Sequence, residues 1–188
     1  ASDVYKRQIY MSIKIFRACT ISGSWGLLAG QLKFLSNYYE ITAVSSPGEQ
    51  LNETGLSEGV RTIAIPMRRR ISLLEDFVSL IRLVLLFYKE KPDMVHSITP
   101  KAGLLSMLAG WITRVPVRMH TFTGLIFPTA TGVRQKILIA TDRLTCFCAT
   151  HVNPEGEGVK RDLINYKITH KPLQIIANGN VNGIDLSY

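Results

Sequence analysis

The chain has 188 residues, long enough to bury a substantial core and suited to one domain of ordinary size. Hydrophobic residues make up 46% and charged residues 19%, which excludes a disordered chain. Lys and Arg outnumber Asp and Glu by 22 to 14, a net charge of +8 that points to nucleic acid, anionic lipid or phosphorylated small molecules as partners.

Residues 1–10, ASDVYKRQIY, do not match the pattern that follows and read as a non-native extension outside the fold. From Met11 strands and helices alternate. Residues 13–20 form a strand, and Lys14 and Arg17 inside it rule out the uninterrupted apolar region of a signal peptide, so a cytoplasmic location is expected. The loop 21–26 leads into a helix ending near Asn37. A strand at 41–45, a short helix within 47–59 and a strand at 60–65 complete a βαβαβ order.

The run Arg68-Arg69-Arg70 has no interleaved aromatics and no recognised nucleic-acid pattern around it, so no nucleic-acid partner is expected; a solvated basic face is the plain alternative. The helix at 73–90 is apolar on most sides and stops at Lys91-Pro92, because the residue before proline disfavours α geometry. Its apolar stretch from Phe77 to Tyr88 is interrupted by Arg82 and falls short of the roughly 20 residues a membrane span needs. Strand four is predicted at 94–97, a helix with proline in its first turn at 100–113, strand five at 115–121 and a helix at 134–148. A strand at 151–153, a helix near 158–166 and an extended segment at 173–177 finish the run. The cysteines at 19, 146 and 148 are odd in number, and Cys146-x-Cys148 is too tight for a zinc half-site; buried, reduced thiols and no metal are expected.

Strands and helices alternating at these lengths predict an α/β fold, a Rossmann-like doubly wound parallel sheet covered on both faces. Ligands then bind beyond the carboxyl ends of the strands, which directs attention to the loops after strands one, four and five. After strand one, Ser22, Gly23, Ser24 and Gly26 stand at a helix start and offer an anion site. Glycines at 23, 26 and 30 do not make the dinucleotide fingerprint, and Ser45-Ser46 supplies no ribose-binding acid, which argues against a nicotinamide cofactor. The same glycines could simply let the helix pack close to the sheet. After strand four, His96, Thr99 and Lys101 reach the rim; after strand five, His120, Thr121, Thr123 and Gly124 bring imidazole and hydroxyls suited to sugar hydroxyls. Either histidine could instead be a hydrogen-bonded structural residue. Glu155 and Glu157 diverge on a helix and read as a favourable first turn, not as a hydrolytic pair.

The succession of the glycine-containing loop after strand one, Pro92-Asp-Met-Val-His96 with Thr99-Pro-Lys-Ala-Gly-Leu-Leu105, and Val115-Pro-Val-Arg-Met-His-Thr-Phe-Thr-Gly124 resembles the N-terminal domain of GT4 glycosyltransferases (glycosyltransferase group 1), especially those of capsule and surface-polysaccharide synthesis. Ile175-Ile-Ala-Asn-Gly-Asn-Val-Asn-Gly-Ile-Asp185 looks like the family's interdomain join. The resemblance implies that residues 11–177 are the acceptor-side half of a GT-B enzyme, that 178–188 begin the linker, and that the nucleotide-sugar donor binds mainly to a second domain beyond it. It further implies retention at the anomeric carbon, a lipid-linked glycan acceptor, no cofactor and no essential metal. Gly23 and Gly26 would approach the donor phosphate and the acceptor, and the loop after strand five would line the cleft. In the family a histidine commonly precedes that loop's last glycine. Here Thr123 stands there and His120 lies three residues earlier, so His120 is the candidate catalytic group or else merely packs. Arg68 to Arg70 and the helix after them are a candidate peripheral contact with the inner membrane, against a solvated loop beside a buried helix. The rival readings are a GT-B-like sugar-nucleotide epimerase and a non-catalytic carbohydrate- or phosphate-binding module.

Overall fold

The computed structural model describes residues 13–70, 72–177, 179 and 182. Six strands, β1 Lys14–Ala18, β2 Glu40–Ser45, β3 Arg61–Ala64, β4 Met94–Ser97, β5 Val117–Phe122 and β6 His151–Pro154, form one sheet in the order β3-β2-β1-β4-β5-β6. Every pairing is parallel. This is the expected Rossmann-like α/β fold, and its strand order reverses between β1 and β4, where doubly wound sheets open a crevice.

The helices are α1 Gln31–Ser36, α2 Glu49–Glu58, α3 Leu73–Glu90, α4 Pro100–Ile112, α5 Gly132–Cys148 and α6 Glu157–Asn165. Two expectations change. The single helix predicted after strand one is a 3-10 segment, Ser22–Leu28, followed by a break and then α1. Gly30 makes the break with φ 78°, a left-handed conformation that glycine adopts without a Cβ clash. The segment predicted at 173–177 reduces to one parallel bridge, Val152 to Leu173, because residues that make no further ladder bonds do not extend the sheet. The linker predicted at 178–188 lies outside the described residues except for Gly179 and Asn182.

The core lies in two layers, one on each face of the sheet. The larger packs Phe16, Val44 and Val95 of the strands against Leu83 and Phe87 of α3, Leu105 and Met107 of α4, and Cys146 of α5. Phe16 and Phe87 meet edge to face at 5.8 Å. The smaller packs Ile15, Ile41 and Ala43 against Trp25, Leu28, Leu32 and Leu51, and takes no member from β5 or β6. Trp25 is pinned by its indole N–H, which donates to Ser45 Oγ at 3.0 Å. The three cysteines are buried free thiols, and burial pushes Cys19 and Cys146 up to about 12.

Candidate functional site

Thr20 and Thr99, the residues just past β1 and β4, meet where the strand order reverses. The Thr20 amide donates to Thr99 Oγ1 at 2.8 Å and the two hydroxyls share a hydrogen bond of 2.7 Å. Thr20 Oγ1 also accepts from the Ala102 amide at 3.1 Å, so a residue of the β1 loop satisfies one of the open N–H groups at the start of α4. Thr99 precedes that helix with β-region dihedrals and makes no side-chain cap of its own.

Around this pair lies an open cleft of ≈ 470 Å³. Of the residues singled out from sequence as site candidates, Ser24, Thr99, Lys101, Thr123 and Gly124 line it, with Thr20 and Arg69 joining them. Thr123 Oγ1 donates to the Ile98 carbonyl at 3.1 Å, which fixes the β5 loop against the end of β4. Lys101 Nζ is held by both Asp76 carboxylate oxygens, at 2.7 and 3.0 Å, and by the Arg70 carbonyl. Its charge is thereby committed to α3, whereas Arg69 is exposed at the wall. Hydroxyls, one cation and the positive end of the α4 dipole together suit a polyhydroxylated ligand that carries or develops negative charge.

The other expected residues lie elsewhere. Ser22 is buried and donates to Gln50 Oε1 at 3.0 Å, while Gly23 and Gly26 sit exposed on the outer side of the 3-10 segment with open space where a Cβ would go. His96 and Thr121 are bonded to each other, Nε2 to Oγ1 at 2.9 Å, in a separate groove of ≈ 390 Å³. Arg17 and Asn153 line that groove too, and Arg17 Nη2 donates to Gln31 Oε1 at 2.7 Å. Burial and the nearby Arg17 and His120 push His96 well below its ordinary pKa, so its ring is neutral at physiological pH.

His120 is 1% exposed on the opposite sheet face. Its Nδ1 bonds Ser97 Oγ at 2.8 Å and its ring stands edge-on to Phe122 at 4.5 Å. A Cβ built on Gly103 would come within 2.4 Å of the ring, so glycine in α4 is what leaves room for it. Burial lowers the ring's pKa to about 4. This neutral ring is not among the residues that line the cleft and packs where β4, β5 and α4 meet.

Sequence reasoning missed Thr20, Arg69 and Asn153 as site residues. Thr20 was detectable as the hydroxyl residue at the carboxyl end of the strand predicted at 13–20, where ligands of such sheets bind. Arg69 enters the cleft only because the segment after β3 crosses the carboxyl edge of the sheet, and no local pattern encodes that crossing. Among the described residues no group of three or more His, Cys, Asp or Glu side chains could hold a metal ion.

The profile of the glycosyl transferase 4-like domain family matches residues 36–179. The capsular polysaccharide biosynthesis glycosyltransferase CapM of Staphylococcus aureus is 36% identical over 173 residues, covering 91% of this chain and 45% of that protein. A UDP-Gal:alpha-D-GlcNAc-diphosphoundecaprenol alpha-1,3-galactosyltransferase of Escherichia coli is 41% identical over 73 residues, covering 38% of this chain and 19% of that protein. The chain therefore spans less than half the length of the curated relatives it matches. Among solved structures, a glycosyltransferase from Rickettsia africae superposes with a TM-score of 0.67 at 18% identity, over 87% of this chain and 42% of the other. A UDP-N-acetylglucosamine 2-epimerase superposes with the same TM-score and identity, over 88% and 48%. At such identities the structural likeness speaks for the fold alone, which a transferase and an epimerase share.

Proposed function

The chain belongs to the glycosyl transferase 4-like domain family, and from that premise we propose that it is the acceptor-side half of a retaining GT-B glycosyltransferase of surface-polysaccharide synthesis. In this reading residues 11–177 form that half, and a second domain supplies most of the contacts to a nucleotide-sugar donor. The acceptor is a lipid-linked glycan presented at the cytoplasmic face of the inner membrane. Support for a transferase comes from the two curated relatives, one assigned to capsular polysaccharide synthesis and one to a diphosphoundecaprenol-linked substrate.

The observation that carries the proposal is the hydroxyl-lined cleft at the point where the strand order reverses. An acceptor hydroxyl held there would bond to the anomeric carbon from the face that the diphosphate leaves, as the bond from that carbon to the diphosphate breaks; the hydroxyl proton would pass to the departing diphosphate oxygen, and the nucleoside diphosphate would leave. In this reading Thr20, Ser24, Thr99 and Thr123, which line the cleft, would orient sugar hydroxyls, and Arg69 with the N-terminus of α4 would favour the negative charge that grows on the leaving group. His120 is assigned here to holding the β4 and β5 ends in place.

The test is release of nucleoside diphosphate from a panel of sugar nucleotides by a complete transferase carrying this domain, with and without lipid-linked acceptor. Gly124→Trp fills the cleft from a glycine that has open space around it, so it should abolish acceptor-dependent release while leaving the fold intact. Release unaffected by the tryptophan would sink the assignment of the cleft. Isomerised sugar nucleotide formed without acceptor would instead assign the chain to the epimerases.

A further inference from the structure

Parallel strands covered on both faces are ordinarily apolar throughout, yet one row across this sheet is polar. Arg17 of β1 and His96 of β4 are register partners, and so are Thr121 of β5 and Asn153 of β6. The bond between His96 and Thr121 joins the two pairs. All four residues line the groove of ≈ 390 Å³ on the sheet face turned away from His120, in the half where the smaller core layer takes no member from β5 or β6.

Arg17 is the costly member of the row. It is 5% exposed, and among the described residues only Gln31 bonds its guanidinium, at Nη2, while Nε is buried without a partner. Burial lowers its pKa to about 10, which leaves it charged at neutral pH. Glu155 also lines the groove, but no described acid forms an ion pair with Arg17. Asn153 commits Nδ2 to the Gln174 carbonyl at 3.0 Å, and its Oδ1 is a buried acceptor with no donor. A buried charge with no counter-ion and a buried acceptor with no donor are both unfavourable. A ligand that brings a negative charge and a hydroxyl would satisfy both. Beside the row stands the flat apolar ring of Phe34, which lines the groove, is 61% exposed and packs on Tyr38 with ring centroids 5.6 Å apart. An aromatic wall next to a few convergent polar groups suits the C–H face and the hydroxyls of a sugar ring.

We propose that this groove is a second carbohydrate site, binding one sugar unit that bears an anionic group, a uronate or a sugar phosphate. Arg17 meets the anion, Asn153 and Thr121 meet hydroxyls, and Phe34 covers one side of the ring. Neutral His96 keeps the Thr121 hydroxyl in place. Among the described residues the groove and the cleft at Thr20 and Thr99 share no lining residue, so the site stands whether or not the cleft transfers a sugar. In a polysaccharide transferase it would hold an acidic residue of the glycan apart from the hydroxyl being glycosylated.

The experiment is calorimetric titration of the chain with glucuronate, glucose 1-phosphate, glucose and inorganic phosphate. At least one of the two acidic sugars should bind about tenfold more tightly than glucose or inorganic phosphate, and which of them binds identifies the anion. Amide shifts on adding it should centre on residues 17, 96, 121 and 153 and not on 20, 99 and 123. Arg17→Met should weaken that binding about tenfold while raising the melting temperature of the free chain, because it removes an uncompensated buried charge. Phe34→Ala, at an exposed position, should weaken binding with an unchanged circular dichroism spectrum. The inference is overturned if neither acidic sugar binds, if the shifts centre on the cleft, or if either variant leaves binding unchanged. Inorganic phosphate binding as tightly as the acidic sugars would overturn it too, leaving a site for anions alone. A melting temperature lowered by Arg17→Met would assign the guanidinium to holding the fold and would likewise overturn it.

Discussion

The imidazole of His120 shows how one position is decided by which side of a strand it faces. Residues 96 and 121 point to one face of the sheet and residues 97 and 120 to the other, where His120 is closed in by Ser97, Gly103 and Phe122. Its folded pKa of about 4 lies below the roughly 6.5 of an unfolded histidine, so the unfolded state takes up the proton first. Stability from the neutral ring is complete above about pH 6.5 and is lost as pH falls toward 4, at about 1.4 kcal/mol per pH unit. His96 acts in the same sense, whereas Asp142, raised to about 7 by burial, acts in the opposite one. The informative quantity is thus a difference. His120→Gln can keep a bond to Ser97, and the gap between its urea-derived stability and that of the native chain should narrow from pH 7 to pH 4.5. A gap constant with pH would show that the ring is solvated or charged in the folded chain.

At the scale of elements, the segment after β1 illustrates support from outside the local sequence. α1 has only six residues, too few to be stable alone, and its start is held by Glu58 of α2. One Glu58 oxygen accepts from the Gly30 amide at 2.6 Å and the other from the Lys33 amide at 2.8 Å. Two open N–H groups of α1 are satisfied across 28 and 25 residues of chain, as a local capping side chain would do. Glu58→Ala should cost about 0.5–2 kcal/mol, with faster hydrogen exchange confined to residues 30–36. Unchanged exchange in α1 would mean that packing of Leu32 alone holds the helix. The helices at 73–90 and 100–112 were legible in the sequence because a proline and a long apolar run mark their ends. The Gly30 break was not, since glycine inside an apolar stretch signals a close approach as readily as a turn.

For the molecule as a whole, the two core layers share one sheet, so neither is expected to melt by itself. Leu83 is fully buried in the larger layer, and Trp25 reports on the smaller. In a Trp111→Phe background that leaves Trp25 as the single fluorescent indole, Leu83→Ala should lower stability by about 2–5 kcal/mol, with Trp25 fluorescence and circular dichroism moving together in a single urea transition. Separate midpoints for the two probes would show that the layers unfold independently. Fold-level similarity carries less weight for function at this scale, because a transferase and an epimerase superpose equally well on these strands. What distinguishes the transferase reading is the sequence kinship with two transferases.

The sequence by itself determined the alternation of strands and helices, the parallel doubly wound sheet and the three loops beyond its carboxyl edge. Those features follow from local patterning and from the rule that parallel strands need crossovers. Which candidates share a cleft was left to the tertiary structure. A strand buried on both faces carries no alternating pattern, so nothing local separates His120, turned into the core, from Thr121, turned to the groove. Arg69, Thr99 and Thr123 join Thr20 and Ser24 at one cleft only through strand order and crossing loops. The exposure of Leu74, Phe77, Leu85 and Tyr88 on α3, opposite the buried Leu83 and Phe87, was likewise undecided, because an apolar run shows that a helix has hydrophobic sides and not how many of them the rest of the molecule covers.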